Sequence, residues 1–312
     1  MQVWRSLDDV DGVPGSVATV GVFDGVHRGH RTVISGVVSD AQAGGVLGAV
    51  VTFDPHPLAV VRPELTPPAL ATLDHRLALL EELGVGGVLV LPFTNERADQ
   101  GPEDFVREVL VERLRVVAVH VGENFRFGRK AAGDVALLRE LGQQHGFEVV
   151  AVPLAGPAAS GAQDGWSSTA IRGLLADGDV DGAAQALGRL HRVEGEVVHG
   201  DHRGRELGYP TANLAPDDVS AVPRDGVYAG WLTRASGDRL PAAISIGTNP
   251  TFGGTVRRVE AYVLDRDDLE LYGEHVALDF LGRLRDTVRF DGVEPLLEQM
   301  ADDVRRARTL TS

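Results

Sequence analysis

The 312-residue chain contains no cysteine. Disulfides, thiolate metal sites and a cysteine nucleophile are excluded, and a reducing, cytoplasmic setting is expected. Lysine is nearly as scarce. Lys130 is the only one, and Gly128-Arg129-Lys130-Ala131 around it is not G-x-x-x-x-G-K-[ST], which excludes a P-loop NTPase. Phosphate charge must then be met by arginine, histidine, backbone N–H groups and a metal ion. No apolar run approaches the ~20 residues that span a bilayer, and Met1-Gln2-Val3-Trp4-Arg5 lacks a signal-peptide pattern. Nor is there an excess of positive charge: a net charge of -15 argues against general affinity for nucleic acid or an anionic membrane surface. What is left is an ordinary globular composition, 43% hydrophobic and 24% charged. The length predicts about two domains.

The first half alternates two periodicities. Strand-like runs at Val17–Val20, Leu47–Phe53, Val88–Leu91, Val116–Val121 and Glu148–Val152 are separated by helical patterns at Gly29–Ala43, Leu73–Leu83, Pro102–Arg113 and Val135–His145. Strands separated by helices imply a parallel sheet with both faces covered, an α/β Rossmann-like domain. Pro153–Gly165 reads as a loop, and Asp177–Leu190 as a helix-bearing connector. Beyond it come Val193–His199, Val227–Thr233, Ala242–Ile246, Val259–Leu264 and Val276–Phe280, with Val288–Phe290 as a further candidate strand. Gly, Pro and Asp turns between them predict an antiparallel barrel, closed by a helix over Glu294–Arg308.

The stretch Gly21-Val22-Phe23-Asp24-Gly25-Val26-His27-Arg28-Gly29-His30 falls between a strand and a helix. Open α/β sheets bind ligands at such turns. Its glycines permit close backbone approach, and the helix start offers N–H groups to an anion beside His27 and His30. The spacing by itself also fits a surface pair or half a metal site, and H-E-x-x-H is absent. Ser167, Ser168 and Thr169 precede an apolar helix and suit caps; with Arg172 they also suit an anion. Asn124, Phe125 and Phe127 lie in a locally basic segment with Arg126, Arg129 and Lys130, although alternating aromatics equally suit a core strand. Phe53 and His56 stand in Thr52–Pro57, where the histidine also suits a strand-end cap.

In the second half, Gly195, Gly200, Gly204 and Arg205 form a glycine-rich strand and turn, fit for phosphates or for a plain hairpin. Leu207-Gly208-Tyr209-Pro210-Thr211-Ala212-Asn213 is sharper, because a hydroxyl and an amide oxygen suit magnesium. Glu260 interrupts a β-type run. An inward carboxylate there would serve as a general base, an outward one would face solvent.

Together these strings resemble the prokaryotic bifunctional riboflavin kinase/FAD synthetase family. The histidine turn is similar to the H-x-G-H signature of nucleotidyltransferases in its flavin adenylyltransferase form, alongside S-S-T-x-I-R, T-F-x-P-H-P and G-x-[ND]-F-x-F-G. The G-x-P-T-A-N string, Gly247–Gly254 and Val259–Tyr262 are similar to riboflavin kinases. The resemblance runs from about Gly21 to Ala307, departing modestly at Trp166 and Ala170. It implies an FMN adenylyltransferase domain over residues 1–182 and a riboflavin kinase β-barrel with a C-terminal helix over 183–312. The substrates would be riboflavin, FMN and ATP, with Mg²⁺ assisting.

On this resemblance the adenylyltransferase ATP would meet Gly21, Phe23, Asp24, Gly29, His30, Ser167, Ser168, Thr169 and Arg172, with His27, His30 and Arg172 catalytic. Its flavin would meet Phe53, His56, Asn124, Phe125 and Phe127. The kinase ATP would meet Gly195, Gly200, Gly204, Arg205, Pro210, Thr211 and Asn213, the last two also holding Mg²⁺. Glu260 would be the base and, with Arg285, would touch the flavin. Two rivals are another H-x-G-H transferase fused to an unrelated barrel and a non-catalytic flavin carrier. Phe125, Phe127 and the P-T-A-N string disfavour the first; the carrier would need no base at Glu260. The sequence does not give an oligomeric state.

Overall fold

The computed structural model describes residues 1–153, 166–200, 207–216, 220–248 and 257–312. They form two compact units, one of Met1–Pro67 with Leu73–Ser167, the other of Pro68–Thr72 with Ser168–Ser312.

The first unit is built on six parallel strands: β1 (Gln2–Trp4), β2 (Ser16–Val20), β3 (Leu47–Asp54), β4 (Gly87–Pro92), β5 (Val116–Gly122) and β6 (Glu148–Val152). Around them lie α1 (Arg28–Gly44), α2 (Pro57–Val61), α3 (Leu73–Glu82), α4 (Asn95–Ala98), α5 (Pro102–Phe105) and α6 (Val135–His145). The sheet order is β1-β4-β3-β2-β5-β6. The chain therefore winds outward from β2 to β4 and then returns to β5. Strand order reverses between β2 and β5, the place where such sheets open a crevice.

Helices on both sheet faces explain the unbroken apolar runs: every residue of β2 is buried, and Val50, Val51 and Leu89 are fully so. Burying each such side chain contributes roughly 1.5–3 kcal/mol. Helix ends follow the local chemistry. Asp134 caps α6 by accepting from Leu137 N at 3.0 Å, and Gly146 ends it at φ 81°. Two details differ from the sequence pattern. β1 is too short to show a periodicity, yet it pairs in parallel with β4. The helix expected over Pro102–Arg113 winds as a π-helix from Val106 onward, burying Val106, Val109 and Leu110.

The second unit opens with α7 (Ser168–Asp177) and α8 (Val180–Leu187). Six strands follow: β7 (His191–Val198), β8 (Thr211–Pro216), β9 (Gly226–Thr233), β10 (Arg239–Gly247), β11 (Arg258–Val263) and β12 (His275–Arg285), then α9 (Val293–Thr311). The strands close into an antiparallel barrel in the order β10-β11-β8-β7-β12-β9. Thr211–Pro216, approached in sequence as a motif, is itself a barrel strand. Val288–Phe290 is irregular chain instead of a strand, with the Arg285 guanidinium 5.8 Å from the Phe290 ring centroid. The units part at Ser167/Ser168, ahead of residue 182, and α8 packs on β7 and β12.

α9 lies on the outer face of the barrel, where Val304 and Ala307 meet Val227, Ala229, Ala243 and Tyr262. A buried ion pair fixes it. Arg285 Nε donates to both oxygens of Asp303 at 2.9 Å and Nη2 donates to Oδ2 at 2.7 Å. Asp303 is 4% exposed, so truncating it strands a guanidinium.

Two stability measurements follow, both read from Trp231, the second unit's single tryptophan. Asp303→Ala should lower unfolding stability by about 3 kcal/mol, because breaking one partner of a buried pair leaves the other uncompensated. His191 is fully buried, with Nε2 2.7 Å from Ala221 O, and burial pushes its pKa down to about 4. The unfolded chain then binds the extra proton between pH ~6.5 and that value, so stability is intact above ~6.5 and falls as pH drops. The loss should approach about 3 kcal/mol, and His191→Gln should flatten the slope.

Candidate functional site

The turn after β2 is set by backbone strain. Gly21 N donates to Val51 O at 3.0 Å, which ends the strand pairing. Phe23 (φ 51°), Gly25 (φ 76°) and Val26 (φ 39°) then all take positive φ. For Phe23 and Val26 this is unfavourable by about 1–3 kcal/mol each, a strain usually met where function needs the geometry. At Gly21 a Cβ would come 3.1 Å from the Phe23 ring, so glycine lets that ring fold back.

The strained turn delivers His27 to the N-cap of α1. It is 4% exposed, and its Nδ1 accepts from His30 N at 3.3 Å. The two imidazoles stack with centroids 3.6 Å apart and planes at 22°, and Phe23 meets His30 edge-on at 5.1 Å. No acid occupies the first turn of α1, so its partial positive charge is left for a ligand. At Gly29 a Cβ would lie 3.2 Å from both the His27 ring and Trp166 O. The helix start is therefore closely walled. Asp24, in the same turn, is 4% exposed.

Burial, then the charges of His27 and Arg76, push the His30 pKa well below its usual value, so the ring is neutral near pH 7. Its Nδ1 is buried with no hydrogen-bond partner. A phosphate oxygen beside α1 would supply an acceptor for one imidazole N–H.

Arg76, on α3, was not singled out from the sequence. It sits within a leucine-rich helical pattern (Leu73, Leu77, Leu80, Leu83) that signals only packing, yet it is 7% exposed and donates from Nη1 to Val22 O, Thr52 Oγ1 and Phe53 O.

The residues expected around a flavin cluster at the carboxyl ends of β3 and β5. Phe127 is buried in the core, stacked at 5.4 Å on Phe125. Phe125 and Phe53 are half-buried at the margin of that same core, and Phe53 meets Phe93 edge-on at 5.6 Å. Asn124 is exposed. His56 Nδ1 accepts from Leu58 N at 3.1 Å and caps α2. Ser167 closes the first unit, while Ser168, Thr169 and Arg172 stand on α7 in the second. Arg172 Nε donates to Pro68 O at 2.6 Å.

In the barrel, strand register does the assembling. Asn213 on β8 faces Glu260 on β11, Glu260 faces Ser245 on β10, Ser245 faces Val227 on β9, and Val227 faces Arg285 on β12. Directly opposed residues share a sheet face, so Asn213, Glu260 and Arg285 occupy one transverse row, on the outer face that α9 covers. Glu260 thus points out of the barrel instead of inward, and it is half-buried there instead of open to solvent. Thr211, two residues from Asn213, is on that face, and its hydroxyl donates to Glu260 Oε2 at 3.4 Å. Ser245 is a second residue the sequence reading passed over, hidden in the alternation Ile244-Ser245-Ile246. Arg285 is engaged by Asp303.

Gly200 packs so closely on Asn213 that a Cβ would sit 2.4 Å from the amide nitrogen. Gly195 has a different reason to be glycine, since its Cβ would lie 2.3 Å from Ala215 O inside the sheet. Pro210 and Thr211 line a small open cleft with Val197, Ala261, Leu271 and Tyr272. Gly204 and Arg205 lie outside the described residues. Among the described residues no group of three or more His, Asp or Glu side chains could hold a metal ion by itself.

Comparison with known proteins follows the same division. Residues 11–168 match the family model of FAD synthetase, and residues 187–311 that of riboflavin kinase. The bifunctional riboflavin kinase/FMN adenylyltransferase of Escherichia coli (strain K12) is 35% identical over 310 residues, 99% of this chain and 97% of that one. The protein of the same name from Pseudomonas fluorescens is 36% identical over 301 residues, 96% of this chain and 94% of that one. A crystal structure named for a macrolide-efflux protein from Streptococcus pneumoniae has the same fold, with a TM-score of 0.85, 30% identity and 98% of both chains covered. With an FAD synthetase domain followed by a riboflavin kinase domain, and near full-length relatives that carry both, the chain belongs to the bifunctional riboflavin kinase/FMN adenylyltransferase family.

Proposed function

We propose that the second unit transfers the γ-phosphoryl group of one ATP to the ribityl 5′-hydroxyl of riboflavin. The first joins the resulting FMN to the adenylyl part of another ATP. The observation that carries this reading is the presence of two separate polar sites, the stacked His27–His30 pair at the start of α1 and the Thr211–Asn213–Glu260 face of the barrel. A functional boundary at 182/183 is supported by the two family matches, which end at residue 168 and begin at residue 187.

In the kinase reaction Glu260 takes the hydroxyl proton as the oxygen attacks the γ-phosphorus. The bond to the β,γ-bridging oxygen breaks and ADP leaves. Thr211 and Asn213 present a hydroxyl and an amide oxygen, with the Glu260 carboxylate beside them, a donor set that fits Mg²⁺ shared with phosphate oxygens and water. When bound there, Mg²⁺ supplies neutralisation of phosphate charge. Gly200 keeps the approach to Asn213 open, and Arg285, through Asp303, holds α9 against the same face.

In the adenylyl transfer a phosphate oxygen of FMN attacks the α-phosphorus of ATP. The bond to the α,β-bridging oxygen breaks and pyrophosphate leaves, with no covalent enzyme intermediate. The N–H groups at the start of α1 and the imidazoles of His27 and His30 face the charge that develops. The half-buried faces of Phe53 and Phe125, backed by Phe127, suit a flavin ring, with Asn124 and His56 as polar contacts. Both reactions draw on ATP and small molecules, which fits the cytoplasm. No helix among the described residues is long and apolar enough to cross a membrane.

Incubation with riboflavin, ATP and Mg²⁺, followed by chromatography, separates the two activities. His27→Ala combined with His30→Ala should reduce FAD formation by ~10³ or more while FMN still accumulates. Loss of both products would contradict separate sites. Glu260→Gln should slow FMN formation by ~10²–10⁴, whereas supplied FMN is still converted to FAD. Undiminished phosphorylation in this variant would remove Glu260 as the base.

A further inference from the structure

Beneath the histidine turn lies a cation that the adenylyl-transfer mechanism above does not use. Arg76 reaches from α3 to the carboxyl ends of two neighbouring parallel strands. Its Nη1 donates to Val22 O at 3.0 Å, to Thr52 Oγ1 at 3.0 Å and to Phe53 O at 3.2 Å. Thr52 Oγ1 in turn donates to the same Val22 O at 2.9 Å. Val22 opens the strained segment that carries Phe23, Gly25 and Val26 into His27, while Phe53 stands at the proposed flavin surface. One buried guanidinium thus ties the origin of the histidine turn to the strand that carries the flavin face.

The environment suits a permanent cation. At 7% exposure Arg76 is desolvated, which lowers its pKa, and Asp24 and Asp54 oppose that shift. Guanidinium stays protonated under such conditions, where an ammonium would titrate. Its Nε is buried without a hydrogen-bond partner. A merely structural arginine in a core is expected to satisfy its donors.

We propose that Arg76 is a positioning residue for FMN adenylylation: pinned to Val22, Thr52 and Phe53, it holds the ends of β2 and β3 in the arrangement that presents His27 and His30 to the phosphates. The proposal rests on assigning adenylyl transfer to the first unit. It predicts an effect on turnover more than on substrate affinity, because misplaced donors weaken stabilisation of developing charge while the phosphate-binding helix start and flavin surface remain.

The full-length chain tests it, with kcat and KM measured for FAD formation from supplied FMN and riboflavin phosphorylation followed in the same preparations. Arg76→Met should lower kcat for FAD formation by ~10²–10³ with KM changed severalfold at most, leaving phosphorylation unchanged. Arg76→Lys, which retains a donor but loses the planar fork, should recover about a tenth of the wild-type kcat. A folded Arg76→Met protein within threefold of wild type overturns the proposal, as does an effect confined to KM or a lysine variant no better than methionine. If the methionine variant does not fold, Arg76→Lys decides: a kcat reduced about tenfold supports the proposal, and an unchanged one overturns it. A wild-type protein that makes no FAD would instead refute the underlying assignment of adenylyl transfer.

Discussion

The first unit depends on how β2 is allowed to end. A strand that stopped in relaxed geometry would release the chain in an ordinary turn. Instead Phe23, Gly25 and Val26 adopt positive φ within four residues, a conformation that must be stabilised from outside. The stabilisation is converging hydrogen bonds on Val22 O from Thr52 and Arg76, together with burial of Phe23 and Val26 in the core under α1. Once the turn is held, the residue at the cap position of α1 is placed to bond His30 N. His27 does so with Nδ1, which aligns the two rings. The histidine pair is thus a product of strand-end geometry.

The barrel reaches its polar site by another route. No single turn concentrates the chemistry; antiparallel register does, drawing one residue from each of several strands into a row. Thr211 and Asn213 are adjacent on one face because side chains alternate along β8, and Glu260 joins them because β11 pairs there. Slipping β11 by one residue would turn Glu260 to the other face and replace it with an apolar neighbour. The close approaches at Gly195 and Gly200 matter for the same reason: they let β7 and the chain after it lie near enough to β8 for the face to remain ordered.

Charge is used economically in a chain with a single lysine. Many arginines are committed to fixed pairs, such as Arg192 with Asp279, Arg234 with Glu274 and Arg285 with Asp303. Those pairs set the positions of strands and of α9. The first unit instead offers an anion local groups: a helix start without a neighbouring acid and the neutral His30 imidazole. A net charge of -15 is no obstacle to binding ATP when the positive potential is generated at the site.

Much of this was legible in the residues alone. Alternation of apolar runs with helical spacing marked β2 through β6 and the longer helices α1, α3 and α6, since continuous burial leaves a continuous apolar signature. The H-R-G-H, S-S-T and P-T-A-N strings pointed to the family through their resemblance to its motifs, and the two family matches bear that out. Short or irregular elements escaped: β1 has three residues, β8 was masked by its polar motif, and Val288–Phe290 looked extended without having a partner strand. Arg76 and Ser245 also escaped, and for a deeper reason. A sequence lists neighbours along the chain, whereas Arg76 matters through oxygens at Val22, Thr52 and Phe53, and Ser245 through its opposition to Glu260. Local composition therefore determined which chemistries are present; only packing of distant segments decided which groups meet, because hydrogen bonds and burial act over a few ångströms of space and not over chain distance.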